Sequence, residues 1–147
     1  MKNILKYIML LGISILGTSL YAGEKPIEVS QLPENAVKFV KTNFPQAQIT
    51  LATKDGWWLS AEYDVSLNDS TSIEFDSAGD WKEIKNSVNG LSLNLLPEKI
   101  KNTLEIKFVG AKVKSIERKP RIAYEIELFD GRDLKFDKNL VLYEVED

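Results

Sequence analysis

The 147-residue sequence contains no histidine and no cysteine. Zinc and copper sites are built largely from imidazole and thiolate, and Ser-His-Asp triads and Cys-His dyads need the same groups. All of these chemistries are excluded. Disulfides are excluded as well, so the fold must rest on a packed core, which a chain of this length can supply. Only carboxylate, lysine and tyrosine chemistry stays open. A surplus of positive charge is also missing, since 19 Lys+Arg face 22 Asp+Glu for a net charge of −3. Nucleic-acid binding needs a basic surface, so nucleic acid is not an expected partner.

What is present begins with a targeting pattern. Lys2 and Lys6 precede the apolar run "YIMLLGISILGTSL", and "SLYA" ends in the small residue Ala22. This is the layout of a secretory signal peptide over 1–22, cleaved after Ala22. The apolar core is shorter than the roughly 20 residues that span a bilayer. It is also interrupted by Gly12, Ser14, Gly17, Thr18 and Ser19. No stable membrane insertion is therefore expected after cleavage. Without a cysteine, a lipoprotein anchor is excluded too. The expected location is the periplasm, and the exported chain would be a single domain over 23–147, more acidic once Lys2 and Lys6 are removed.

Two segments of that chain resemble each other. "LPENAVKFVKTNFPQA" (32–47) aligns with "LPEKIKNTLEIKFVGA" (96–111), sharing Leu32/Leu96, Pro33/Pro97, Glu34/Glu98, Phe44/Phe108 and Ala47/Ala111. Further on, "LSAEYDV" (59–65) meets "IAYEIEL" (122–128), "IEFD" (73–76) meets "LKFD" (134–137), and "WKEIK" (81–85) meets "LYEVE" (142–146). Four matches in one order predict a duplicated unit, over about 29–85 and 94–147. Each unit opens with a helix. Pro33 and Pro97 suit the first helical position, and Glu34 and Glu98 complement the helix dipole. Ala36, Val40 and Phe44 form one apolar stripe, and Ile100, Leu104 and Phe108 form the other.

The rest alternates. In "WWLSAEYDVSL", Trp57, Leu59, Ala61, Tyr63, Val65 and Leu67 share one face. Trp58, Ser60, Glu62, Asp64 and Ser66 share the other. Tyr124, Ile126 and Leu128 oppose Glu125 and Glu127 in the same way. Such alternation predicts antiparallel strands with one packed and one wet face. The expected fold is α+β: two tandem helix-plus-antiparallel-strand repeats, with the helices packed on one face of an antiparallel sheet.

Glu62, Asp64, Glu125 and Glu127 are the candidate acid–base groups, but their solvated strand face lacks the apolar cleft that raises a catalytic carboxyl's pKa. No catalytic residue is expected. The oxygen-rich turns "DVSLNDS" (64–70) and "DSAGD" (76–80) do not fit the twelve-residue calcium loop. No metal or cofactor is therefore expected. The basic run "KVKSIERKPR" (112–121) reads as a strand and turn whose lysines guard a sheet edge. Trp58 stands apart. It faces the polar side, and the matching position in the second unit is Arg121. Tryptophan and arginine are enriched at binding hot spots. The candidate binding residues are therefore Trp58, Glu62, Arg121 and Glu125, with an unknown protein or peptide of the cell envelope as partner. A small-ligand pocket between helices and sheet, lined by Trp57, Tyr63, Phe75, Tyr124 and Phe136, is the alternative.

The paired "LP" helices, the "AEYDV" and "IEFD" strands and the closing strands resemble the PepSY-like, beta-lactamase-inhibitor-like family of small exported bacterial proteins. The resemblance implies a non-enzymatic, inhibitor-like or protein-binding domain and supplies no catalytic residue.

Overall fold

The computed structural model describes residues 23–147. The expected signal segment, 1–22, lies outside the described residues. The chain forms β1 (Lys25–Pro26), α1 (Glu34–Asn43), β2 (Ile49–Asp55), β3 (Glu62–Leu67), β4 (Ser72–Phe75) and β5 (Trp81–Lys85). It continues through α2 (Glu98–Lys107), β6 (Val113–Glu117), β7 (Tyr124–Leu128), β8 (Asp133–Phe136) and β9 (Leu142–Glu146).

Both helices start one residue later than expected. Pro33 and Pro97 are their N-caps. Proline has no N–H to satisfy, but its carbonyl can accept the first helical bonds. Pro33 accepts from Ala36 and Val37, and Pro97 from Ile100 and Lys101. Glu34 and Glu98 then sit in the first turns, at the positive end of each dipole. The buried stripe of α1 is Ala36 and Val40, and that of α2 is Ile100 and Leu104.

The tandem-repeat expectation needs correction. All nine strands form one continuous antiparallel sheet in chain order, β1 to β9. Hydrogen bonding does not stop between the two matching segments. Instead, β5 pairs with β6 through Glu83–Glu117, Ile84–Ile116 and Lys85–Ser115. With only two ten-residue helices among the described residues, the fold is mostly sheet and not a pair of helix-plus-strand units. Local resemblance reported what each stretch becomes, but strand pairing across the join is a long-range property that alignment does not encode.

The packed face holds two clusters. Leu32, Ala36, Val40, Val65, Ile73, Phe75 and Ile84 form one. Ile100, Leu104, Ile116, Ile126, Leu134 and Phe136 form the other. Burying each large side chain is worth about 1.5–3 kcal/mol. Trp81, Leu91 and Leu95 pack against both clusters and join them. The β4–β5 turn is pressed onto α1 at Gly79, which has φ +82°. A Cβ there would lie 2.7 Å from Pro33 Cβ and 2.9 Å from the Ala36 nitrogen. Glycine is the one residue that fits both the conformation and the approach.

Candidate functional site

The sheet face opposite the helices is laid out by strand register. Tyr63, Val65, Phe75, Ile84, Ile116, Ile126 and Leu134 point to the core. The alternate residues Asp64, Glu74, Glu83, Glu117, Glu125 and Lys135 lie opposite one another on the open face. Lys82 pairs with Glu62 and Glu74, each at 2.5 Å, and Lys119 pairs with Glu117 at 3.2 Å and with Glu125. Partial burial pulls the Lys82 ammonium down, but the hydrogen bonds it donates to the Glu62 and Glu74 carboxylates, with their charges, outweigh this and hold it well above its usual pKa. Burial, then the charges of Glu74, Glu24 and Glu62, push the Asp64 carboxyl up to about 6, with Lys82 opposing. Burial and the Glu117 charge raise Glu83 in the same sense.

Trp58 is not on a strand. The expected alternation holds from Ala61 onward but fails at residues 57–60. There the chain leaves β2 through Gly56 at φ +73° and turns through a short 3-10 segment, Trp58–Ser60. Ser60 closes the turn by donating its amide and hydroxyl to the Trp57 carbonyl at 3.1 and 2.8 Å. Trp57, Trp58 and Leu59 are exposed at 85%, 86% and 84%, so Trp57 is not a core residue. Trp58 itself has φ +48°, a left-handed conformation rare outside glycine. Holding a bulky side chain there costs on the order of 1–3 kcal/mol.

Arg121 is also exposed and lies in the loop after β6, not on a strand. Because β3 and β7 run in the same direction, the Trp58 and Arg121 loops leave the same end of the sheet, with β4 and β5 between them. At that end a shallow cleft of about 460 Å³ is lined by Asp76, Trp81, Lys82, Arg118, Lys119 and Pro120. Glu62 and Glu125 lie on the open face as expected, each held by a lysine. The structure thus gathers Trp58, Glu62 and Arg121 around one end but leaves Trp58 and Arg121 apart. The lysines engaging the expected carboxylates were not among the candidates. Their positions depend on cross-strand neighbours that only the register reveals.

The expected interior pocket does not form as described. Phe75 and Phe136 are fully buried in different clusters, Tyr63 and Tyr124 pack at the edges of those clusters, and Trp57 points to solvent. An apolar cleft of about 380 Å³ lies elsewhere, beside α1 and β2, with Val37, Val40, Phe44 and Ile49 in its lining.

This arrangement defines a small open-faced sheet domain, and comparison with known proteins gives the family. The model of the beta-lactamase-inhibitor-like, PepSY-like family matches residues 61–144. The chain belongs to this family. A solved Bacteroides vulgatus structure described as a periplasmic protein of the DUF2874 family shares 31% identity at a TM-score of 0.76. It covers 84% of this chain and 97% of its own. A Bacteroides thetaiotaomicron structure described as a "putative calcium-regulated periplasmic protein" shares 30% identity at 0.78, with the same two coverages. A second Bacteroides vulgatus structure, described as a periplasmic protein of unknown function, shares 26% at 0.76. It covers 85% of this chain and all of its own. No curated protein matches. Among the described residues, no helix is long and apolar enough to cross a membrane.

Proposed function

We propose that the protein is a non-enzymatic binding module of the periplasm that docks a protein or peptide. The contact surface would comprise the Trp58 loop and the adjoining open sheet face, including Glu62, Glu125 and Arg121. The observation that carries this reading is the tip Trp57-Trp58-Leu59, three large apolar side chains held in water by a strained backbone. Strain of this kind persists where a function needs it, and buried aromatic anchors dominate protein interfaces. The periplasmic descriptions of the relatives and the family's inhibitor-like character support the same reading.

Crosslinking from position 58 in living cells, beside pull-downs with Trp58→Ala, tests the proposal. A specific envelope protein captured by the wild type and lost in the variant is expected. Equal capture by both would overturn the assignment of this surface.

A further inference from the structure

The carboxylates of the open face stand in a line. Register places Thr53, Asp64, Glu74, Glu83, Glu117 and Glu125 opposite one another on β2 through β7. Neighbouring strands lie about 4.8 Å apart, so the acids from Asp64 to Glu125 extend over roughly 19 Å. Like charges set directly opposite each other destabilise a sheet. Lys82 and Lys119 relieve part of the line, each already shared by two carboxylates. Asp64 and Glu83 form no ion pair among the described residues, and both carboxyls are pushed upward by burial and neighbouring acids.

A second observation comes from Thr53. It lies directly across from Asp64 on the same face and is 3% exposed, yet its hydroxyl oxygen has no hydrogen-bond partner among the described residues. Buried polar atoms without partners are rare and call for an explanation. A cationic side chain docking here would pair with the Asp64 carboxylate, and would reach the Thr53 hydroxyl as a second acceptor once the cover over Thr53 opens.

We propose that this line is a recognition track for a lysine- or arginine-bearing segment of the docked polypeptide, with one cationic side chain seated on Asp64 beside Thr53 and another at Glu83. The inference rests on the docking reading and names the chemistry of the partner. The Trp58 loop would supply the apolar anchor, and the track would supply charge selection and register.

Fluorescein-labelled octalysine is the probe, titrated against the purified full chain and read by fluorescence anisotropy. Saturable binding that weakens with added salt is expected. The double variant Asp64→Asn/Glu83→Gln should weaken it roughly tenfold. The helix-borne pair Glu34→Gln/Glu98→Gln makes the same change in net charge and should stay within about twofold. Circular dichroism melts confirm that both variants fold. Absent octalysine binding, or equal weakening by both pairs, would overturn the track. Displacement of octalysine by calcium, but not by magnesium at equal ionic strength, would also overturn it, by showing a metal site instead. A partner lost with Trp58→Ala but kept by the track variant would sink the track and leave the docking reading standing. Track-dependent octalysine binding without any envelope partner would sink the docking reading alone.

Discussion

The guanidinium of Arg118 lies over the indole of Trp81, 4.2 Å from the ring centroid, and its Nε donates to the Trp81 carbonyl at 2.9 Å. The pair fastens the start of β5 to the chain leaving β6. Trp81 also approaches Phe39 at 6.0 Å and Tyr124 at 6.3 Å, so one indole touches aromatic rings of both clusters. Trp81→Ala is expected to cost about 3 kcal/mol, and Arg118→Ala about 1 kcal/mol. Urea unfolding followed by circular dichroism measures both. A Trp81→Ala loss no greater than that of Arg118→Ala would remove Trp81 from its role as the joint.

Asn86 is buried, and its side chain is fully used. Its Nδ2 donates to the Asp69 carbonyl and the Thr71 hydroxyl, both at 3.0 Å. Its Oδ1 accepts from the Val88 and Asn89 amides at 3.1 and 2.8 Å. Asn86→Ala leaves several of these partners unsatisfied and should cost about 3 kcal/mol. Thermal melts test this, and an unchanged midpoint would show that water replaces every lost bond.

Asp64 predicts a pH signature. Its folded pKa, about 6, lies above the ordinary carboxyl value of 3.8. The folded state therefore holds the proton more tightly, and this contribution to stability is present below pH 4 and lost as pH rises through 6. At neutral pH the ionised Asp64 is a liability. Asp64→Asn should stabilise the protein by about 1 kcal/mol at pH 7, after discounting for solvent screening, and by little at pH 4. Denaturant titrations at the two pH values check it. A gain independent of pH would mean that neither burial nor the charges of Glu74, Glu24 and Glu62 raise this carboxyl.

The Trp58 loop separates stability from binding. Glycine accommodates φ +48° freely. Trp58→Gly should therefore leave folding stability unchanged or raise it by up to about 1 kcal/mol, while partner capture falls. A clear loss of stability would show that the exposed indole supports the fold.

The open face was legible from residue 61 onward, because period-two alternation fixes sides once the strand is known. Asp64, Glu125 and Glu127 lie where that rule places them. It failed at Trp57 and Trp58 because the backbone there is not extended, and alternation has no meaning inside a 3-10 turn. Alternation does not give the face of Trp81 for a related reason, since the ladder shifts between Glu74 and Phe75 just where Trp81 pairs. Strand β1 left no pattern at all, being two residues defined only by their pairing with β2. The Asp64–Glu74–Glu83–Glu117–Glu125 line needed the register of five strands, which no local stretch contains.

The crossover-free order of the sheet also governs how the chain assembles. Most neighbouring strands are joined by short turns, so their pairing orders few residues at a time and is quick. Only two pairings, β1 with β2 and β5 with β6, must close over an intervening helix. Loop-closure entropy falls on those two steps. Until β5 meets β6, the backbones around Ile84 and Ile116 are unpaired edges, open to the same edges on other molecules. The hazard at this seam is thus confined to a brief interval in the middle of folding, and it ends when the centre of the sheet closes, leaving β1 and β9 as the edges.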